Sequence, residues 1–169
     1  MQQYNYELKP QNKSFKKFTA KLILWFLGRG LQACTILDSN VKNEIECFKE
    51  GTSILLKVEP SGPCMLLSKE NDKLKFKGLK ETSADLAIYF KNIEGATLVL
   101  TGKIGIAQSY AEHRFTMKGN VASGMCLVRC LCTLESYLFP EFISKKILKS
   151  VPVKSTNSFR IYISTLLGI

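Results

Sequence analysis

The residues able to do acid, base or nucleophilic chemistry are few and scattered along this chain. His113 is the single histidine in 169 residues. It stands between Glu112 and Arg114, without a Ser-His-Asp order, a Gly-x-Ser-x-Gly elbow or a His-Glu-x-x-His metal pattern to accompany it. Acid-base catalysis needs a base and an orienting partner within hydrogen-bond reach, so His113 reads as a structural residue at a helix-to-strand junction. Gly102 and Gly105 form a Gly-x-x-Gly, but a phosphate cradle needs a strand before it and a helix after it, and here a helix precedes. The six cysteines, Cys34, Cys47, Cys64, Cys126, Cys130 and Cys132, contain no Cys-x-x-Cys. Reduced thiols acting as small apolar packing residues are the expectation. Cys126 and Cys130 share a helix face, but Cys132 points away from it, so no metal site and no cofactor are expected.

One carboxylate stands apart. Glu135 falls inside the apolar arc of a long helix predicted from Val121 to Leu138, about 40° from Leu131 and about 20° from Val128 at roughly 100° per residue. A buried carboxylate there needs a partner or a polar ligand group; the alternative is an exposed glutamate near the helix end. The helix is apolar over more than half its circumference, through Met125, Leu127, Val128, Leu131, Leu134 and Leu138. A face that wide has to be covered by protein or by a ligand.

The elements around that helix follow from periodicity and turn residues. Asp38 or Ser39 suits the cap of a helix through Phe48, with Val41, Ile45 and Phe48 on one face. Thr52 to Glu59, Cys64 to Ser68 and Leu74 to Lys77 alternate as an antiparallel meander, with turns at Pro60-Ser61-Gly62-Pro63 and Asn71-Asp72. Asp85 to Phe90 and Phe115 to Lys118 add two strands, with helices over Ile93–Thr101 and Ile106–His113. Asn120 is placed to cap the long helix. Beyond Val151-Pro152, Phe159-Arg160-Ile161-Tyr162-Ile163 alternates like a strand.

Three segments carry a family resemblance: Ala84-Asp85-Leu86-Ala87-Ile88-Tyr89-Phe90, Leu98-Val99-Leu100-Thr101-Gly102-Lys103 and Phe115-Thr116-Met117-Lys118-Gly119-Asn120. In order and spacing they resemble the strand, helix end and strand exit of the sterol carrier protein type two lipid-binding domain, over roughly Val41 to Leu138. The chain departs from the pattern at Asn120, where the family carries Asp, and at His113, where it usually carries Gly. The resemblance implies an α+β fold: a mainly antiparallel five-stranded sheet covered by helices, enclosing an apolar tunnel for a fatty acyl chain, sterol or isoprenoid. Leu98, Phe115, Met117, Met125, Val128, Leu131 and Leu134 are the expected tunnel lining, with plain core as the alternative for each. The implied activity is non-catalytic binding and transfer, or presentation, of that lipid.

Composition adds a second line of inference. The formal charge of +10 and pI near 9.4 favour an anionic partner. From Ser14 the pattern becomes a basic amphipathic helix, ended or bent near Gly28-Arg29-Gly30, in which Phe15, Phe18, Leu22, Trp25 and Phe26 recur beside Lys16, Lys17 and Lys21. Two readings stay open for it: a membrane-surface helix, with Trp25 at the headgroup boundary and the three lysines on anionic lipid, or a helix packed on the domain. The organisation expected is an arm and basic helix over residues 1–37, a lipid-binding domain over 38–150 and a tail over 151–169. Met1 to Pro10 is polar and lacks a secretory pattern, so a cytoplasmic protein with contact at the membrane surface is expected. The competing functions are a nucleic-acid binder using its basic surface, which lacks a binding motif, and an accessory domain of a lipid-modifying enzyme. Partners are therefore a lipid and an anionic membrane, with no nucleic acid expected.

Overall fold

The computed structural model describes residues 13–148 and 152–168; the polar segment read as an N-terminal arm, Met1 to Asn12, lies outside them. Helix α1 runs Ser14–Leu37 and α2 Ser39–Glu44, extended by a 3-10 turn over Ile45–Cys47. Strands β1 (Ser53–Val58), β2 (Cys64–Glu70), β3 (Lys73–Gly78) and β4 (Leu86–Phe90) follow. Then come α3 (Ile93–Leu100), α4 (Ile106–Ala111), β5 (Phe115–Lys118), α5 (Val121–Leu138), α6 (Glu141–Ile147) and α7 (Ser158–Leu167).

Local chemistry explains most boundaries. Asp38 Oδ1 accepts hydrogen bonds from the Asn40 and Val41 N–H groups, Asn92 from Gly95, Asn120 from Ser123 and Asn157 from Phe159, so four of the described helices start on side-chain caps. Asn71 and Asp72 both adopt positive φ, 52° and 56°, making the tight β2–β3 hairpin that only such residues or glycine favour. His113 also has a positive φ, 53°, at the α4–β5 junction. A left-handed backbone there is one that glycine adopts without the cost a Cβ brings.

The α+β architecture is the expected one. The sheet order is β3-β2-β1-β4-β5, with three antiparallel pairings and a parallel one between β1 and β4, so the sheet is mixed. In that parallel register Ile54, Leu56 and Val58 lie beside Leu86, Ile88 and Phe90. They form one apolar face, against which α1, α3 and α5 pack. The other face holds a smaller cluster of Leu55, Cys64, Leu66 and Ala87 and the ion pairs of Lys57 with Glu59 and Glu81.

Three expectations are corrected. First, α1 does not stop at Gly28-Arg29-Gly30 but continues to Leu37, because those glycines are where other side chains press against it. A Cβ at Gly28 would lie 2.7 Å from Phe76 Cε2, and one at Gly30 would lie 3.0 Å from Leu134 Cδ1. Second, Phe159 to Ile163 is helix rather than strand. Asn157 caps it, Ile161 and Thr165 are its buried positions, and Gly168 ends it at φ 79°. This α7 packs along α1, so the segment read as a tail belongs to the same core as the sheet. Third, Cys47 and Cys126, expected as thiols, are joined as a disulfide with Cα atoms 6.8 Å apart. By length and composition α1 and α5 match a membrane span, and about half of the most apolar 18-residue window of each lies buried in this core.

Candidate functional site

A cavity of about 470 Å³ lies between the sheet and the helices. Its floor is the apolar sheet face, at Leu56, Ile88, Phe90 and Phe115. The last two are antiparallel partners whose rings meet edge to face, with centroids 5.7 Å apart. Leu22, Ile23, Trp25, Phe26 and Leu27 of α1 form one wall. Val99, Leu100 and Ile106 from α3 and α4 form the end, and Leu131, Glu135, Leu138 and Phe139 the wall from α5. Tyr162 and Leu166 of α7 complete it, with Tyr162 packed on Phe26 at a centroid separation of 6.3 Å.

The mouth is apolar too. Leu22 and Leu166 line the cavity yet are 55% and 62% exposed, so they form its rim. Phe15 and Phe18 continue the exposed apolar surface along α1, and Phe159 and Ile163 along α7. Next to Phe18, Lys17 and Lys21 border an open hollow with Ser61, Gly62 and Pro63.

Of the seven residues expected to line a tunnel, Phe115 and Leu131 line this cavity. Met117 is turned toward α5, where its Cε fills the notch left by Gly124, 2.8 Å from where a Cβ would stand. Leu134 is completely buried against Gly30 of α1, and Val128 packs on the core beside it. Leu98 is half-buried off the cavity, and Met125 is half-exposed on the outer side of α5. The residues of α1, α7 and the sheet centre that do line it were missed. Their apolar spacing was visible, but the docking of both terminal helices over the sheet was not.

The residues read as membrane-facing also divide. Lys16 pairs with Glu94, which Lys13 also holds at 3.0 Å, and Lys17 Nζ donates to Ser61 Oγ at 3.1 Å. Trp25 is half-buried and lines the cavity, with the Arg29 guanidinium 4.9 Å from its ring centroid. Lys21 is exposed.

Glu135 is the carboxylate of the site. It is buried, its Oε2 has no hydrogen-bond partner among the described residues, and burial pushes its pKa up from the ordinary carboxylate value to about 7. Burial drives the Cys130 thiol up to about 12 and that of Cys34 higher still, which disfavours the thiolate at both. Among the described residues no group of histidine, cysteine and carboxylate side chains is placed to hold a metal ion.

Neither a family model nor a curated protein matches the sequence. Solved structures do resemble it in fold. Sterol Carrier Protein 2 from Yarrowia lipolytica, in its apo form, is 17% identical at a TM-score of 0.48, covering 68% of this chain and 91% of that one. The sterol carrier protein domain 2 of Helicoverpa armigera is 18% identical at 0.46, covering 73% and 91%. UbiJ-SCP2, a ubiquinone synthesis protein, is 14% identical at 0.45, covering 71% and 98%. These likenesses are ones of fold.

Proposed function

We propose that the protein binds one lipid molecule in the cavity between sheet and helices, and carries or presents it without making or breaking bonds. The observation that carries this reading is the cavity itself: about 470 Å³, walled by aliphatic and aromatic side chains from eight elements, with Glu135 the one carboxylate among the described residues that line it. That volume falls within the range of small-molecule sites. Binding there draws on removal of apolar ligand surface from water, about 25 cal/mol per Å², which selects for hydrocarbon more than for detailed shape. The test is native mass spectrometry with organic extraction of protein isolated without denaturant. Co-purified lipid is the expected result. Protein that is repeatedly empty, and whose tryptophan emission ignores added lipids and hydrocarbons, overturns the reading.

A second observation favours loading at a membrane surface. The rim residues Leu22 and Leu166 stand on two helices that each expose several large apolar side chains, with Lys17 and Lys21 alongside. Apolar side chains entering the headgroup boundary while lysines meet anionic lipid would bring the cavity mouth against its source of ligand. On this reading α1 and α7 would share the contact, rather than α1 alone.

A further inference from the structure

We propose that Glu135 anchors the polar end of the ligand, accepting a hydrogen bond from the hydroxyl of an uncharged lipid and disfavouring lipids with an anionic head. The inference rests on the lipid-binding reading and narrows it to a chemical class. Four observations lead to it. Glu135 projects from α5 into the cavity wall at 8% exposure, a position where a carboxyl is costly without a partner. Its Oε2 is buried from water and has no hydrogen-bond partner among the described residues. The other titratable group of the lining, Tyr162, is already committed: its hydroxyl donates to the backbone carbonyls of Leu138 and Tyr137, at 2.9 and 3.3 Å. No lysine, arginine or histidine lines the cavity, among the described residues.

The chemistry follows from that inventory. An alcohol brings an O–H donor and no charge, so it meets the need of Glu135 without adding a second ion to an apolar enclosure. A carboxylate, sulfate or phosphate head brings acceptors only and a like charge, with no cation to offset either. A pure hydrocarbon fills the volume and leaves Oε2 unpaired. The expected order of affinity is therefore long-chain or polycyclic alcohol, then hydrocarbon, then anionic lipid.

Trp25 is the sole tryptophan and lines the cavity, so its emission reports occupancy directly. The experiment titrates delipidated protein at pH 8 with hexadecan-1-ol, hexadecane and palmitate below their aggregation limits, in the parent chain and in Glu135→Leu and Glu135→Gln. The parent is expected to bind the alcohol about tenfold or more tightly over palmitate, the step expected from a hydrogen bond to a charged group. Glu135→Leu should lose the preference for alcohol over hexadecane while still binding hexadecane. Glu135→Gln should keep the alcohol and accept palmitate better than the parent does. Equal binding of palmitate and alcohol by the parent, or an undiminished alcohol preference in Glu135→Leu, overturns the proposal while leaving the cavity reading intact. A parent chain that binds none of the three probes overturns both.

Discussion

The Phe76 ring of β3 lies directly over Gly28 of α1, so close that a Cβ at Gly28 would stand 2.7 Å from Phe76 Cε2. The neighbouring Phe76 N–H donates to Gln32 Oε1 at 2.9 Å, one turn further along α1. This contact lets a glycine persist in the middle of a long helix, against a propensity cost of about 1 kcal/mol relative to alanine. Gly28→Ala should therefore destabilise the protein by about 1–2 kcal/mol, overpacking outweighing the propensity gain. Adding Phe76→Leu should recover part of that loss in thermal unfolding. A Gly28→Ala protein as stable as its parent would show that the ring simply moves aside.

His113 holds a positive φ of 53° between α4 and β5. A left-handed conformation costs a residue with a Cβ about 1–2 kcal/mol, and glycine nothing, though glycine loses more chain entropy on folding. His113→Gly should raise the midpoint of chemical denaturation by an amount worth about 0.5–1 kcal/mol. His113→Ala should leave lipid uptake unchanged, as befits a residue outside the cavity lining. Loss of uptake in His113→Ala with folding intact would reopen a functional role for it.

Asp38 and Tyr137 join the start of α2 to the end of α5. The Tyr137 hydroxyl donates to Asp38 Oδ2 and accepts from the Ser155 and Thr156 N–H groups at 3.0 and 3.2 Å, tying in the approach to α7. Burial by itself would push the Asp38 carboxyl up, but hydrogen bonds from Tyr137, Ser155 and the Val41 N–H outweigh it and hold the group below its ordinary range. A depressed folded-state value means stability that is present above the unfolded pKa near 3.8 and is lost as pH falls through the folded one. Tyr137→Phe should cost about 1–2 kcal/mol at neutral pH and flatten the acid limb of the stability curve. Denaturant titrations at pH 7 and pH 3 separate the two effects; identical acid limbs would remove Asp38 from the account.

Much of this arrangement was legible in the residue order. The Asp38 and Asn120 caps, the Asn71-Asp72 hairpin and the alternation of β1 and β4 are local signals, and local signals survive folding. What could not be read depends on contacts distant in sequence. Gly28 and Gly30 look like a helix end until Phe76 and Leu134 are seen filling the space they leave. Phe159 to Ile163 has the composition of a strand, and only its burial at Ile161 and Thr165 against α1 and α5 decides for helix. Of the residues read from the sheet and α5, Phe115 and Leu131 line the cavity, whereas Met117 and Leu134 fill the space left by the small residues opposite them. Glu135 could be singled out from the helical wheel, but its lack of a partner could not.

That lack of a partner predicts a pH dependence of the empty protein. The folded-state pKa of Glu135 is raised to about 7 from an ordinary 4.5, so between those values the folded state holds a proton that the unfolded chain has released. Stability should fall as pH rises through that window, by roughly 3 kcal/mol in total for a shift of this size. Below the window the neutral carboxylic acid carries no such penalty. Glu135→Leu should remove the slope and leave the protein more stable than its parent at pH 8, with the gap closing toward pH 4.5. Denaturation midpoints of both proteins across pH 4–8 give the difference directly, cancelling the other carboxylates. Parallel curves would mean that Oε2 is solvated in solution.

The proposed contact of α1 and α7 with a membrane predicts a separation between holding a lipid and acquiring it. Leu166 is on the rim, and Lys17 and Lys21 flank the exposed α1 stripe, whereas Lys16 is occupied by Glu94. Each lysine at an anionic surface contributes about 1 kcal/mol, so reversing Lys17 and Lys21 to glutamate should lower flotation with anionic vesicles more than tenfold at low salt. Leu166→Asp should slow transfer of a fluorescent lipid from vesicles by placing a charge in the entry path. It should change affinity for a dispersed ligand little, because the enclosed walls from the sheet and α5 are untouched. Lys16→Glu should act mainly by breaking its ion pair and should depress flotation less than either reversal at Lys17 or Lys21. If the double reversal leaves flotation unchanged, α1 is a surface helix with solvated lysines; if Leu166→Asp alters equilibrium binding and transfer rate equally, the mouth lies elsewhere.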